Sequence, residues 1–225
     1  MTSASRKAIL FDLDGTLTDP FEGITRSVQY ALERMGREAP PQETLRWMIG
    51  PPLRDSFPIL LDTADDVLAD TALRLYRERY DALGKFENRL IDGIPEVLAS
   101  LKADGYFLSV ATSKLNTFAR EIVAHFGLDR YFDAQHGAGQ DGRNSHKPDL
   151  IRHILGAEGL DPRCTIMVGD RSHDALGASA NGVACIGVLW GFGDRAELEA
   201  SGVAAIAERP EDLPGLIEAS VPPAR

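Results

Sequence analysis

Residues Ala8-Ile-Leu-Phe-Asp-Leu-Asp-Gly-Thr16 set the reading of the whole chain. The run Ala8-Ile-Leu-Phe11 has no polar alternation, which suits a strand buried on both faces of a parallel sheet, and Asp12-Leu-Asp-Gly15 ends it abruptly. The same form recurs. Tyr106-Phe-Leu-Ser-Val-Ala111 ends in Thr112-Ser-Lys114, Cys164-Thr-Ile-Met-Val168 ends in Gly169-Asp170, and a fourth run is Ala184-Cys-Ile-Gly-Val-Leu189. Helical patterns with glycine stops lie between them, over 95–101, 118–126 and 150–155. Strand and helix in this alternation predict an α/β fold with a Rossmann-like parallel sheet as its core.

Residues 19–89 break that rhythm, with helix patterns and no convincing strand. Asp19-Pro-Phe-Glu22 reads as a helix start, and Ile24, Val28, Leu32 and Met35 mark one face of that helix. A second amphipathic stretch runs over 63–84. The expected organisation is a core of residues 1–18 and 90–225 carrying an inserted all-helical domain of residues 19–89. The tail 221–225 is expected to fray.

The chain has 225 residues, of which 44% are hydrophobic and 26% charged, so a buried core is within reach and disorder is excluded. Its 34 acidic and 24 basic residues leave a formal charge of −10, which disfavours nucleic acid and anionic membrane surfaces. Apolar runs stay far short of the roughly 20 residues that span a bilayer, and the start lacks a signal-peptide core, so a cytoplasmic location is expected. Cys164 and Cys185 sit in apolar runs without metal or disulfide spacing and read as reduced core residues.

In open α/β sheets, ligands bind beyond the carboxyl ends of the strands, and here those ends carry Asp12 and Asp14, Thr112 and Ser113, and Asp170 with Asp174 one turn later. Lys147 comes from the long loop before the third strand. Each has a plain structural explanation taken singly, as an Asp-Gly turn, a helix cap or a solvated loop lysine. Their convergence is what points to chemistry. An aspartate can take a phosphoryl group covalently while a second carboxyl protonates the leaving oxygen, and Asp12 with Asp14 suits that pair. Four acids against one lysine would repel a phosphate dianion, and a hard divalent cation such as Mg²⁺ resolves the conflict. Thr112 and Ser113 can offer hydroxyl and backbone N–H groups to phosphate oxygens. A glycine-rich stretch, Gly137-Ala-Gly-Gln-Asp-Gly142, opens no helix and reads as a flexible loop. The five histidines show no metal spacing.

Asp12-x-Asp14-Gly-Thr16, Thr112-Ser113, Lys147-Pro148 and Gly169-Asp170-x-x-x-Asp174, in this order and spacing, resemble the four signature motifs of the haloacid dehalogenase superfamily. The resemblance spans nearly the whole chain, the helical insert is similar to that superfamily's alpha-helical cap, and within it the sequence is most similar to phosphoglycolate phosphatase-like enzymes. The resemblance implies a Mg²⁺-dependent hydrolase of small phosphorylated metabolites, either phosphoglycolate-like or a nucleotide or sugar phosphate. Asp12 would be the nucleophile and Asp14 the acid and base. Thr112 and Lys147 would hold the phosphoryl oxygens, and Asp12, the Asp14 backbone carbonyl and Asp170 the metal, with Asp174 beside them. In the cap, Trp47-Met-Ile-Gly50-Pro-Pro-Leu-Arg54-Asp-Ser-Phe57 would close over the leaving group, with Gly50 and Arg54 contacting it and Arg54 alternatively paired with a nearby acid. A beta-phosphoglucomutase-type mutase shares the same core and cap. A phospho-receiver module also combines acids, a Thr and a Lys, but has no need of a helical insert.

Overall fold

A computed structural model describes residues 6–220. In chain order its strands are β1 (Ala8–Phe11), β2 (Thr18–Asp19), β3 (Arg89–Leu90), β4 (Phe107–Leu115), β5 (Ala134–Ala138), β6 (Thr165–Gly169), β7 (Ala184–Val188) and β8 (Ala205–Ala207). The helices are α1 (Phe21–Arg34), α2 (Leu53–Leu61), α3 (Asp66–Ala82), α4 (Ile94–Ala103), α5 (Asn116–His125), α6 (Lys147–Glu158), α7 (Ser172–Ser179), α8 (Arg195–Ala200) and α9 (Leu213–Ser220). The chain divides into two compact units, Met1–Thr18 with Leu90–Arg225, and Asp19–Arg89.

The first unit is built on a six-stranded parallel sheet in the order β5-β4-β1-β6-β7-β8. Strand β1 shows why an unbroken apolar run was needed. Ile9 and Phe11 enter one hydrophobic cluster with α4, α5 and α9 residues such as Leu98, Ile122 and Ile217, while Ala8 and Leu10 enter another with Leu150, Ile154 and Ala178 on the opposite face. Each fully buried Ile, Leu or Phe contributes about 1.5–3 kcal/mol. The chain runs from β1 to β4 on one side and later returns to β6 on the other. A crevice therefore opens at the carboxyl end of β1, between the two neighbours.

Several boundaries differ from the sequence reading. Strand β4 continues past Ala111 to Leu115, because its register against β5 slips: Ala111 pairs with His136, and Leu115 with Ala138. Gly137 and Ala138 belong to β5, so the glycine-rich stretch begins as strand and only its later residues form the loop. The β5 residues Ala-Gln-His-Gly-Ala carry no strand pattern of their own, and the ladder from β4 imposes one. Lys147 begins helix α6 and is buried, with Pro148 in the first turn, where its missing N–H costs nothing. Cys185 is buried but Cys164 only half-buried, and both are free. The expectation for 221–225 lies outside the described residues.

The second unit packs α1 against α3 and α2 against α3. Val28 and Ala31 of α1, Phe57 of α2, and Ala72, Tyr76 and Tyr80 of α3 are buried. Tyr76 stacks on Tyr80 with centroids 5.2 Å apart and meets the edge of Phe57 at 6.1 Å. Asp65 caps α3 by accepting from the N–H groups of Val67 and Leu68, so that helix starts three residues later than the periodicity suggests. Among the described residues no helix is long and apolar enough to cross a membrane.

Candidate active site

The turn after β1 is wound by its own backbone: the N–H groups of Leu17 and Thr18 donate to the Leu13 carbonyl at 2.9 and 3.0 Å, and that of Gly15 to Thr18 at 2.7 Å. Gly15 sits at φ +83, where a side chain would be strained and would also strike the Asp170 carboxylate. Asp12 and Asp14 consequently sit together at the mouth of the central strand, both buried. The turn after β6 brings Asp170 and Asp174 to them.

One oxygen from each of Asp12, Asp170 and Asp174 lies within 4.8 Å of the others. Lys147 reaches this cluster from the first turn of α6, with its Nζ 2.9 Å from Asp12 Oδ1 and 2.5 Å from Asp174 Oδ1, and it donates to the Ala111 carbonyl at 2.8 Å. Its side chain is 2% exposed. Gly177 of α7 admits this approach, since a methyl group there would meet the Lys147 backbone and Cβ. Thr112 is buried at the same end of β4, its hydroxyl accepting from the Lys114 N–H at 3.2 Å, and Ser113 beside it is half-buried.

Sequence reasoning misses a second cation. Lys114 Nζ lies 2.8 Å from Asp14 Oδ2, its side chain 7% exposed. It ends the same strand tip as Thr112, where the sequence assigns it no role; the slip of β4 brings it inward. The segment after β7 likewise has a role that its sequence does not announce. The Phe192 N–H donates to Asp170 Oδ2 at 2.8 Å, and Trp190 Nε1 to the Thr16 carbonyl at 3.0 Å. Gly191 and Gly193 pass so close to Asp170 that a Cβ on either would collide with it. Thr16 Oγ1 donates to Asp170 Oδ1 at 3.3 Å. Behind the β6 turn, Glu197 of α8 accepts from the Ser172 N–H and hydroxyl, both at 2.8 Å, and pairs with Arg171 at 3.0 Å.

Burial raises the carboxyl of Asp14 against the opposing charge of Lys114. Asp170 stands well above the carboxylate range through burial and the charges of Asp174 and Asp12. Burial likewise pushes Asp174 up to about 6 despite Lys147. For Lys147 burial acts downward, but Asp12 and Asp174 outweigh it and keep the ammonium charged. Four buried acids thus face Lys147 and Lys114, whose side chains are 2% and 7% exposed, an excess of two negative charges when all ionise. Asp14 Oδ1 is also buried without a hydrogen-bond partner among the described residues. An all-oxygen set with surplus negative charge fits a hard divalent cation.

In the second unit the segment around Arg54 is helical, and of the two readings given for Arg54 the structure shows its pairing with a nearby acid. Leu53–Leu61 is a helix, so Arg54 stands on its first turn rather than in a loop, and its guanidinium pairs with Asp70 of α3 at 3.1 Å, both side chains more than half exposed. Phe57 and Leu61 are buried, Phe57 with its ring edge on Tyr76 of α3, and this packing supports a helix directly after Pro52. Gly50 holds φ +106 ahead of it.

Comparison with known proteins agrees with this geometry. A 5'-nucleotidase of Pseudomonas aeruginosa is 55% identical over 192 residues, 85% of this chain and 86% of the relative. A phosphoglycolate phosphatase of Haemophilus influenzae is 31% identical over 199 residues, 83% of this chain and 87% of the relative. A crystal structure described as a predicted phosphatase from Clostridium acetobutylicum superposes with a TM-score of 0.92 at 40% identity, over 96% of this chain and all of the other. The family model of haloacid dehalogenase-like hydrolases matches residues 9–188, from the first buried strand through the last motif, and the chain belongs to that family.

Proposed function

We propose that the protein is a Mg²⁺-dependent phosphatase that hydrolyses a small phosphate monoester through an aspartyl-phosphate on Asp12. The observation that carries this reading is the position of Asp12, buried at the central strand tip within reach of Lys147 and within the acidic cluster. A carboxylate so placed can attack phosphorus while Lys147 neutralises the phosphoryl oxygens, and Thr112 and Ser113 supply hydroxyl and N–H groups to the same oxygens. Asp14 gives a proton to the leaving oxygen and then takes one from the attacking water. Asp12, Asp170 and the backbone carbonyl of Asp14 would hold the metal, with Asp174 beside it and hydrogen-bonded by the Arg171 N–H at 3.2 Å. When bound, Mg²⁺ would offset charge on the acids and on the transferring phosphoryl group. The 55%-identical 5'-nucleotidase makes nucleoside 5'-monophosphates the first candidate substrates, ahead of phosphoglycolate.

The test is phosphate release from a panel of 5'- and 3'-nucleotides, phosphoglycolate, sugar phosphates and an aryl phosphate, with Mg²⁺ and with excess chelator. We expect metal-dependent release, fastest from 5'-nucleotides. Full activity in chelator would remove the metal from the reading, and conversion of a sugar 1-phosphate to its 6-phosphate would make the enzyme a mutase.

A further inference from the structure

Lys114 is a cation with a side chain only 7% exposed, and the roles above leave it unused. Four steps along β4, from Ala111 to Leu115, are matched by two along β5, from His136 to Ala138. A bulge of this kind re-aims side chains, and here it delivers Lys114 to Asp14 Oδ2 at 2.8 Å. The bulge has its own accommodation on the neighbouring strand: a methyl group on Gly137 would stand 2.7 Å from the Lys114 carbonyl. Holding an ammonium at 7% exposure is costly unless it is paired, and Asp14 Oδ2 lies at pairing distance. The other oxygen, Asp14 Oδ1, is buried and has no hydrogen-bond partner among the described residues.

We infer that Lys114 is a positioning residue that pins Asp14 Oδ2 and so makes Oδ1 the atom that carries the proton in both halves of the reaction. This rests on the phosphatase reading above. In the first half, an Asp12 oxygen bonds to phosphorus, the bond from phosphorus to the ester oxygen breaks, and the proton on Asp14 Oδ1 passes to that oxygen, giving the free alcohol. In the second, water bonds to phosphorus, the Asp12–phosphorus bond breaks, and one water proton returns to Oδ1, leaving inorganic phosphate and both carboxyls as they began. With Oδ2 held by an ammonium that has no acceptor, the carboxyl cannot rotate to offer either oxygen, and no proton resides on the wrong one.

The experiment compares the first turnover of the wild type, Lys114→Met and Lys114→Gln on an alkyl phosphate and on 4-nitrophenyl phosphate, with Mg²⁺ present. An alkoxide needs a proton to leave and a nitrophenolate does not. Lys114→Met should therefore slow alcohol release by about 10²-fold, the range of general acid help, yet release nitrophenolate in an almost unslowed burst before a slow steady phase. KM should move little. Lys114→Gln, which keeps a donor toward Oδ2, should recover most of the alkyl rate. Equal slowing on both esters, a loss confined to KM, or a Gln variant no better than Met would overturn the inference, because each means that Lys114 binds substrate or only supports the fold. A wild type that turns over neither ester would instead defeat the phosphatase reading.

Discussion

Two ion pairs of similar length behave as different objects in this molecule. In the sheet unit, Lys147 sits 2.9 Å from Asp12 with side chains 2% and 4% exposed. In the helical unit, Arg54 sits 3.1 Å from Asp70 with side chains 63% and 54% exposed. Separation alone would rank them as equals. Water decides otherwise, since an exposed pair gains little over its hydrated parts, whereas buried charges must replace lost hydration with one another. The sheet unit therefore concentrates unfavourable charge at one strand end, where it can act on a ligand. The helical unit leaves pairs such as Arg54–Asp70 at the surface, and its buried cation, Lys85, is paired with an acid, Asp81, whose side chain is exposed.

The sharpest way to break this contrast is Asp12→Asn. The amide keeps the shape but cannot attack phosphorus, so turnover should vanish while the fold persists. A phosphoryl adduct found by mass spectrometry on another residue would overturn the assignment. Asp14→Asn should lower kcat by about 10²–10⁴-fold, measured by phosphate release. Next comes Lys147→Met, which strands Asp12 and Asp174. Denaturant unfolding should show a cost of about 3–5 kcal/mol, the range for removing one member of a buried pair. A loss under about 1 kcal/mol, the range of an exposed pair, would mean that these acids are far better solvated than their burial implies.

Addition of Mg²⁺ to the wild type should raise the melting temperature, by the equivalent of about 2.7 kcal/mol at a hundredfold excess over Kd, and should do so less in Asp170→Asn. An unchanged melting curve at millimolar Mg²⁺ would contradict the cation reading. The smallest effects belong to the helical unit. Glu87 accepts from Arg79 at 2.7 and 3.0 Å, which holds its carboxyl below the usual range against partial burial, with help from Arg26. A carboxyl depressed on folding adds stability above its unfolded pKa and loses it as pH falls through the folded one. Glu87→Gln should thus cost about 1 kcal/mol near neutrality, and the gap from wild type should close in acid. Arg54→Ala should change stability by less than about 1 kcal/mol in a urea melt.

The parts of the site legible in the sequence were those in which one residue type has few uses at that position. Asp12, Asp14, Asp170 and Asp174 stand where buried strands end, and unbroken apolar runs show where those ends are. Lys114 escaped because alternation along an ideal strand says nothing about a bulge, which arises between two strands distant in sequence. Helix α2 escaped because Gly50-Pro-Pro52 reads as a break, and the helix after it packs on α3, with Phe57 against Tyr76. Strands β5 and β8 are poor in strand formers and take their form from their neighbours.

By itself, then, the sequence determined the alternation of buried strands and helices, the interruption at residues 19–89, and the positions of the acids, because these are local consequences of hydrophobic period and turn chemistry. Tertiary structure alone decided which charges share a partner. Lys147 is 135 residues from Asp12, and Lys114 is 100 from Asp14, in numbering terms. They meet only because parallel strands β1, β4 and β6 end side by side and exclude water from the groups between them, and an ion pair's strength depends on that exclusion, which no segment of chain can supply alone.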